Sequence, residues 1–132
     1  MIVEAMKTFP CFDPDKPATD AQINELQNKI GIRFADDYRD YLSAYGLVSF
    51  YGVELTGVTH VKWLNVADVT LEARLKNNLP KDYYVVEKLN INDVLAVQST
   101  DGRVYLYRNG SFKSEADSLE EYLKGMFCDK LK

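Results

Sequence analysis

The sequence predicts a single α+β domain, mainly antiparallel sheet, with two helices near the N-terminus, one in the middle and one at the C-terminal end. Three observations lead there. Apolar residues recur at helical spacing in two adjoining segments between Thr19 and Gly46, each bounded by helix-ending residues. Two turn dipeptides, Asp101-Gly102 and Asn109-Gly110, punctuate β-rich segments between 94 and 113. Ser118 and Glu121 then spell a capping box ahead of a last amphipathic stretch.

Residues 1–18 read as an irregular arm, because Pro10, Pro14 and Pro17 interrupt any helix there, with Phe9 and Phe12 to pin it to the core. Thr19 and Gln22 form a capping box for a first helix whose stripe is Ile23, Leu26 and Ile30, and Gly31 ends it. The second helix carries Tyr38, Tyr41, Leu42 and Tyr45, with Asp36 and Asp37 in its first turn, where the helix dipole favours negative charge, and Gly46 at its end. Neither stripe is self-sufficient, so the remaining chain must provide a surface to bury both. Residues 47–58 are rich in β-branched and aromatic types, and predict two short strands with a tight turn or bulge near Tyr51-Gly52. Asn65 is a plausible cap for a third helix carrying Val66, Val69 and Ala73, with Leu71 and Leu75, and Pro80 blocks its continuation.

Tyr83-Tyr84-Val85-Val86 reads as a buried strand, and 94–99 and 104–108 read as clear strands. A two-residue loop at Asp101-Gly102 would set Val97 across from Leu106 and Ala96 across from Tyr107. A second such loop at Asn109-Gly110 sets Phe112 across from Tyr107. That register puts Ala96, Tyr105, Tyr107 and Phe112 on one face and Leu95, Val97, Val104 and Leu106 on the other. The last helix follows with Leu119, Tyr122, Leu123 and Met126 as its stripe.

Two of these stretches carry a resemblance. Thr19-Asp20-Ala21-Gln22-Ile23-Asn24-Glu25-Leu26-Gln27 followed by Gly31 through Leu42 resembles the opening of the Smi1/Knr4, or SUKH, superfamily, with Phe34-Ala35 where Leu-Pro is usual. Ala116-Asp117-Ser118-Leu119-Glu120-Glu121-Tyr122-Leu123, directly after the Val104-Tyr105-Leu106-Tyr107 strand, is similar to the start of that family's last helix. The resemblance covers roughly 19–58 and 94–127, and its residues are mostly structural. It implies a bacterial immunity protein, a cytoplasmic partner that binds and neutralises the toxic C-terminal domain of a polymorphic or contact-dependent toxin, often a nuclease. It also leaves open a regulatory scaffold, since the superfamily includes fungal proteins of cell-wall signalling.

The composition agrees with a binding role. The 132 residues carry a net charge of −4, with 16 Lys and Arg against 20 Asp and Glu, which disfavours nonspecific nucleic-acid binding and suits a basic protein partner. No apolar run is long enough for a membrane helix, and the first residues lack a basic segment followed by an apolar core, so no secretory signal is expected and a cytoplasmic location is. Cys11 and Cys128 lie at opposite ends without CxxC spacing and read as reduced, small apolar fillers. With one histidine, His60, and no phosphate-cradling glycine motif, no catalytic set, metal site or cofactor is expected. The solitary Trp63 reads as core or groove lining. The residues expected to face a basic toxin domain are Asp36, Asp37, Asp40, Tyr51 and Glu54, acids at a helix start together with an aromatic and an acid in a glycine-punctuated segment.

Overall fold

In chain order, the computed structural model comprises helix α1 (Ile2–Met6), strand β1 (Asp13–Pro14), helices α2 (Asp20–Ile30) and α3 (Asp36–Tyr45), strands β2 (Val48–Phe50) and β3 (Val53–Glu54), helix α4 (Val66–Lys76), strands β4 (Tyr83–Lys88), β5 (Leu95–Ser99), β6 (Val104–Arg108) and β7 (Ser111–Ala116), and helix α5 (Leu119–Leu131). It describes residues 1–89 and 91–131, with side chains through Phe127. The expected α+β class is what is found, with all strand pairs antiparallel and two sheets in the orders β1-β2-β3 and β4-β5-β6-β7.

The local signals set the helix ends. The Thr19 hydroxyl accepts from the Gln22 N–H at 3.1 Å, and the Gln22 side chain accepts from the Thr19 N–H at 2.9 Å, which closes both halves of the capping box. Helix α3 has no side-chain cap of its own. The preceding N–H groups of Phe34 and Ala35 are taken by the Gln27 amide oxygen and the Tyr84 hydroxyl, both at 2.9 Å. The Asn65 side chain accepts from the Ala67 and Asp68 N–H groups and starts α4 as expected. At α5 the Ser118 hydroxyl accepts from the Glu121 N–H at 3.1 Å, but the Glu121 carboxylate reaches back to the Asp117 N–H.

The stripes of α2, α3 and α5 pack with α1, the β2–β3 hairpin and one face of the larger sheet in the main core. Helix α4 covers the opposite sheet face through Val69 and Ala73, against Val85, Leu95, Val97 and Tyr107. Leu71 and Leu75 stand off that face: Leu75 is 85% exposed. At about 100° per residue they fall on the far side of α4 from Val66, Val69 and Ala73.

Three expectations need correction. The arm is not irregular throughout. Ile2 and Met6, one helical turn apart, bury themselves as α1 against α3 and α5, and Asp13–Pro14 pairs with β2. Phe9 and Phe12 do pin this arm: Phe9 stacks on Phe127 and meets Phe50 edge-on, and Phe12 meets Tyr45 edge-on beside Phe50. Second, the β5–β6 register is one residue off the expected one: Val97 faces Tyr105, Ala96 faces Leu106 and Leu95 faces Tyr107. The loop holds three residues, because only Gly102 takes a positive φ, of 99°, while the Asp101 carboxylate folds back onto the Ser99 hydroxyl and the Arg103 N–H. The shift moves Leu95 and Val97 onto the face of Tyr105 and Tyr107. The Asn109-Gly110 turn has both positive φ values and the expected Tyr107–Phe112 pairing. Third, Cys11 is exposed rather than an apolar filler, and the side chain of Cys128 lies outside the described residues.

Candidate partner-binding groove

The two sheets join at a seam, where Leu55 bridges to Glu87 and the Thr56 N–H donates to the Val86 carbonyl at 2.9 Å. Next to the seam the strands part and leave a groove of about 700 Å3, its sides supplied by the β2–β3 hairpin, by Trp63 and Leu64, and by Lys88 at the end of β4 with Leu89 and Ile91. The wall carrying Trp63 is held by close backbone contact. The Gly57 N–H donates to the Leu64 carbonyl at 2.8 Å, and a Cβ at Gly57 would lie 2.3 Å from the Gly46 carbonyl oxygen.

A hydroxyl network fixes the floor. Thr56 is buried; its Oγ1 donates to the Val85 carbonyl at 2.7 Å and so accepts from the Tyr38 hydroxyl at 2.8 Å. The Tyr41 hydroxyl donates to the Thr56 carbonyl at 2.8 Å and accepts from the Val48 N–H at 3.1 Å. Burial pushes both tyrosines far above the ordinary phenol range, so they stay neutral hydrogen-bonding groups. Beside them Glu87 is only 6% exposed and accepts from the Tyr122 hydroxyl at 2.6 Å. A bulge between Val85 and Glu87 aims this carboxylate inward, by putting Glu87 rather than Val86 opposite Ala96. Burial, then the neighbouring Glu87 charge, raises the Tyr122 phenol as well.

Two of the large apolar side chains left in solvent line this groove. Trp63 is 67% exposed and Ile91 64%, both lining the groove; Tyr51, 67% exposed, sits beside lining residue Gly52 in the β2–β3 turn. Glu54 is exposed and lines both this groove and an adjoining cavity of about 310 Å3 with Asp13 and Asp15. A second aromatic surface, Tyr83, Tyr105 and Phe112, lies on the α4 side of the larger sheet, with Tyr83 and Phe112 ring centroids 4.7 Å apart.

The five residues expected to face a partner fall into two groups. Glu54 lines the groove, and Tyr51 is exposed in the β2–β3 turn beside lining residue Gly52. Asp36, Asp37 and Asp40 lie on α3, with Asp36 and Asp37 at the end remote from the hairpin; a ten-residue helix is about 15 Å long. Asp36 and Asp40 are exposed as expected. Asp37 is not a free surface acid. Its Oδ1 accepts from the Gln98 amide at 3.0 Å and its Oδ2 from the Leu119 N–H at 2.8 Å, so it ties α3 to β5 and caps α5. Burial raises its carboxyl above 3.8, against the opposing pull of these hydrogen bonds. Sequence reasoning missed Ile91, Asp13 and Asp15, which a strand or arm pattern does not mark as neighbours. Trp63 read as core or groove lining; it is exposed, so not core, and it lines the groove.

The chemistry of this arrangement is that of contact. Among the described residues no three His, Cys, Asp or Glu side chains gather as metal ligands, and no helix is long and apolar enough to cross a membrane. A family model described as SUKH_5, SMI1-KNR4 cell-wall, matches residues 1–128. Among solved structures, the chain is similar to a protein from Pseudomonas syringae pv. tomato, with a TM-score of 0.78 at 15% identity over 97% of this chain and 96% of that one, a likeness of fold. Comparison with curated proteins gave no match.

Proposed function

Since the chain belongs to the SUKH_5, SMI1-KNR4 cell-wall, family, we propose that it is a non-enzymatic immunity protein of the bacterial cytoplasm, which binds a basic toxin domain and blocks it by occlusion. The observation that carries this reading is that Trp63 and Ile91, both well exposed, line one groove with Glu54, while the exposed Tyr51 stands in the turn beside lining residue Gly52. Aromatic anchors beside a polar rim are the usual make-up of a protein hot spot. Asp36 and Asp40 add negative field from α3 and raise the encounter rate with a basic partner; reversing both to Lys lowers the on-rate and its salt dependence. The test is co-expression with the variable C-terminal domain of a large secreted protein encoded in the neighbouring reading frame. Restored growth is expected; unrestored growth with both proteins soluble overturns the reading.

The cell-wall wording of the family description supports a second reading, a regulatory scaffold. It predicts no rescue in that assay and a change in cell-wall integrity when the chain is deleted.

A further inference from the structure

The groove and its neighbouring cavity share Ser49, Glu54 and Leu64, so they form one trough across the β2–β3 hairpin, from the β1 edge to Ile91. Its two sides differ in kind. Asp13, Asp15 and Glu54 form no ion pair among the described residues, and the cavity that holds all three is lined by no basic side chain. Among the described residues Lys88 is the one basic residue lining the larger groove. Trp63 lines the same groove as Glu54 and offers an indole two-thirds exposed, on a loop where the Gly57 N–H donates to the Leu64 carbonyl. A planar cation that stacks on an indole while donating to carboxylates is a guanidinium, and a compact, strongly hydrated ammonium matches such a site less well.

We propose that this trough receives an arginine-bearing segment of the protein partner, with a guanidinium between Trp63 and Glu54 and further positive charge beside Asp13 and Asp15. The inference rests on the binding role proposed above and deepens it by naming the chemistry that the partner inserts. The occupant is a protein segment because the apolar wall continues past the acids through Leu64 to Ile91, which gives the side chains flanking an arginine a place to bury.

The protein carries its own reporter, since Trp63 is its sole tryptophan. The full chain is titrated at low salt with the peptides acetyl-Arg-Leu-Arg-Leu-Arg-amide, its lysine counterpart and its glutamate counterpart, while Trp63 emission is followed. The expected result is a saturable blue shift with the arginine peptide, weaker binding of the lysine peptide, and no shift with the glutamate peptide. Glu54→Lys weakens the arginine peptide roughly fivefold, and Asp15→Lys, at an exposed position, weakens it about twofold. No shift, an equal response to all three peptides, or unchanged affinity in both variants overturns the proposal. So does a Trp63 shift that depends on protein concentration alone, which would assign the trough to a second copy of this chain. Growth rescue separates this proposal from the reading beneath it. If wild type rescues and Glu54→Lys with Trp63→Ala rescues equally, the immunity role stands and the trough does not. If wild type fails to rescue, the peptide titration still decides the trough.

Discussion

Thr56 holds the seam beneath the groove, and replacing it with valine tests whether hydroxyls rather than shape keep the two sheets together. Valine has nearly the same volume, so the change removes hydrogen bonds and little packing. The Tyr38 hydroxyl, wholly buried, loses its acceptor, and the Val85 carbonyl loses a donor at 2.7 Å. An orphaned buried polar group costs about 1–3 kcal/mol, and the methyl that replaces the hydroxyl returns part of that, so Thr56→Val should cost about 2–4 kcal/mol. With a urea m-value of about 1.5 kcal/mol/M, the midpoint falls by about 1.3–2.7 M. Far-UV circular dichroism is the suitable probe, because the exposed Trp63 indole changes environment little on unfolding. Thr56→Ser keeps the hydroxyl and should cost only about 1 kcal/mol for the lost methyl. Tyr38→Phe alone should cost about 1 kcal/mol, and adding it to Thr56→Val should cost less than the sum, because it removes the orphan. A midpoint within about 0.3 M of wild type for Thr56→Val, or strict additivity in the double variant, would refute the reasoning.

Other expected outcomes follow from the same contacts. Leu42→Ala and Leu123→Ala remove fully buried side chains from α3 and α5 and should each cost about 2–5 kcal/mol in chemical denaturation; a loss below about 1 kcal/mol would show that the stripe is misread. Burial raises the Asp37 carboxyl above 3.8, so the folded chain binds its proton more tightly than the unfolded one, and this group's contribution to stability declines as pH rises through a window that opens near 3.8. Asp37→Asn should flatten that part of the pH profile in thermal melts, while lowering stability overall by about 0.5–2 kcal/mol through the damaged α5 cap. Gly46→Ala places a Cβ 2.0 Å from the Lys16 carbonyl oxygen at a φ of 72°, and should destabilise by more than about 1–3 kcal/mol in urea titration.

The sequence by itself determined the local elements, because their signals are short-range. The Thr19/Gln22 box, the Asn65 cap and the Asn109-Gly110 turn each act within three or four residues, and each is where it reads. The stripes of α2 and α3 were legible for the same reason: a 3.6-residue period is written into the chain. Short signals also failed where a side chain chose between two local bonds. Asp101 uses its carboxylate to build a three-residue loop, and a shift of one residue exchanged the faces of Leu95 and Val97.

Tertiary structure decided the rest, because it depends on which distant groups meet. Five residues at the N-terminus have too few hydrogen bonds to hold a helix, so α1 exists through burial of Ile2 and Met6 on α3 and α5. Asp37 reads as a first-turn acid facing solvent, yet Leu119 lies 82 positions along the chain and brings the N–H that it caps. Trp63, Ile91, Glu54 and Asp13 come from four separate segments, and they share one trough because the sheets join at Leu55 and Glu87 and part beside it. No period or spacing in the chain encodes that meeting. It is set by where strand hydrogen bonding stops and packing leaves a gap.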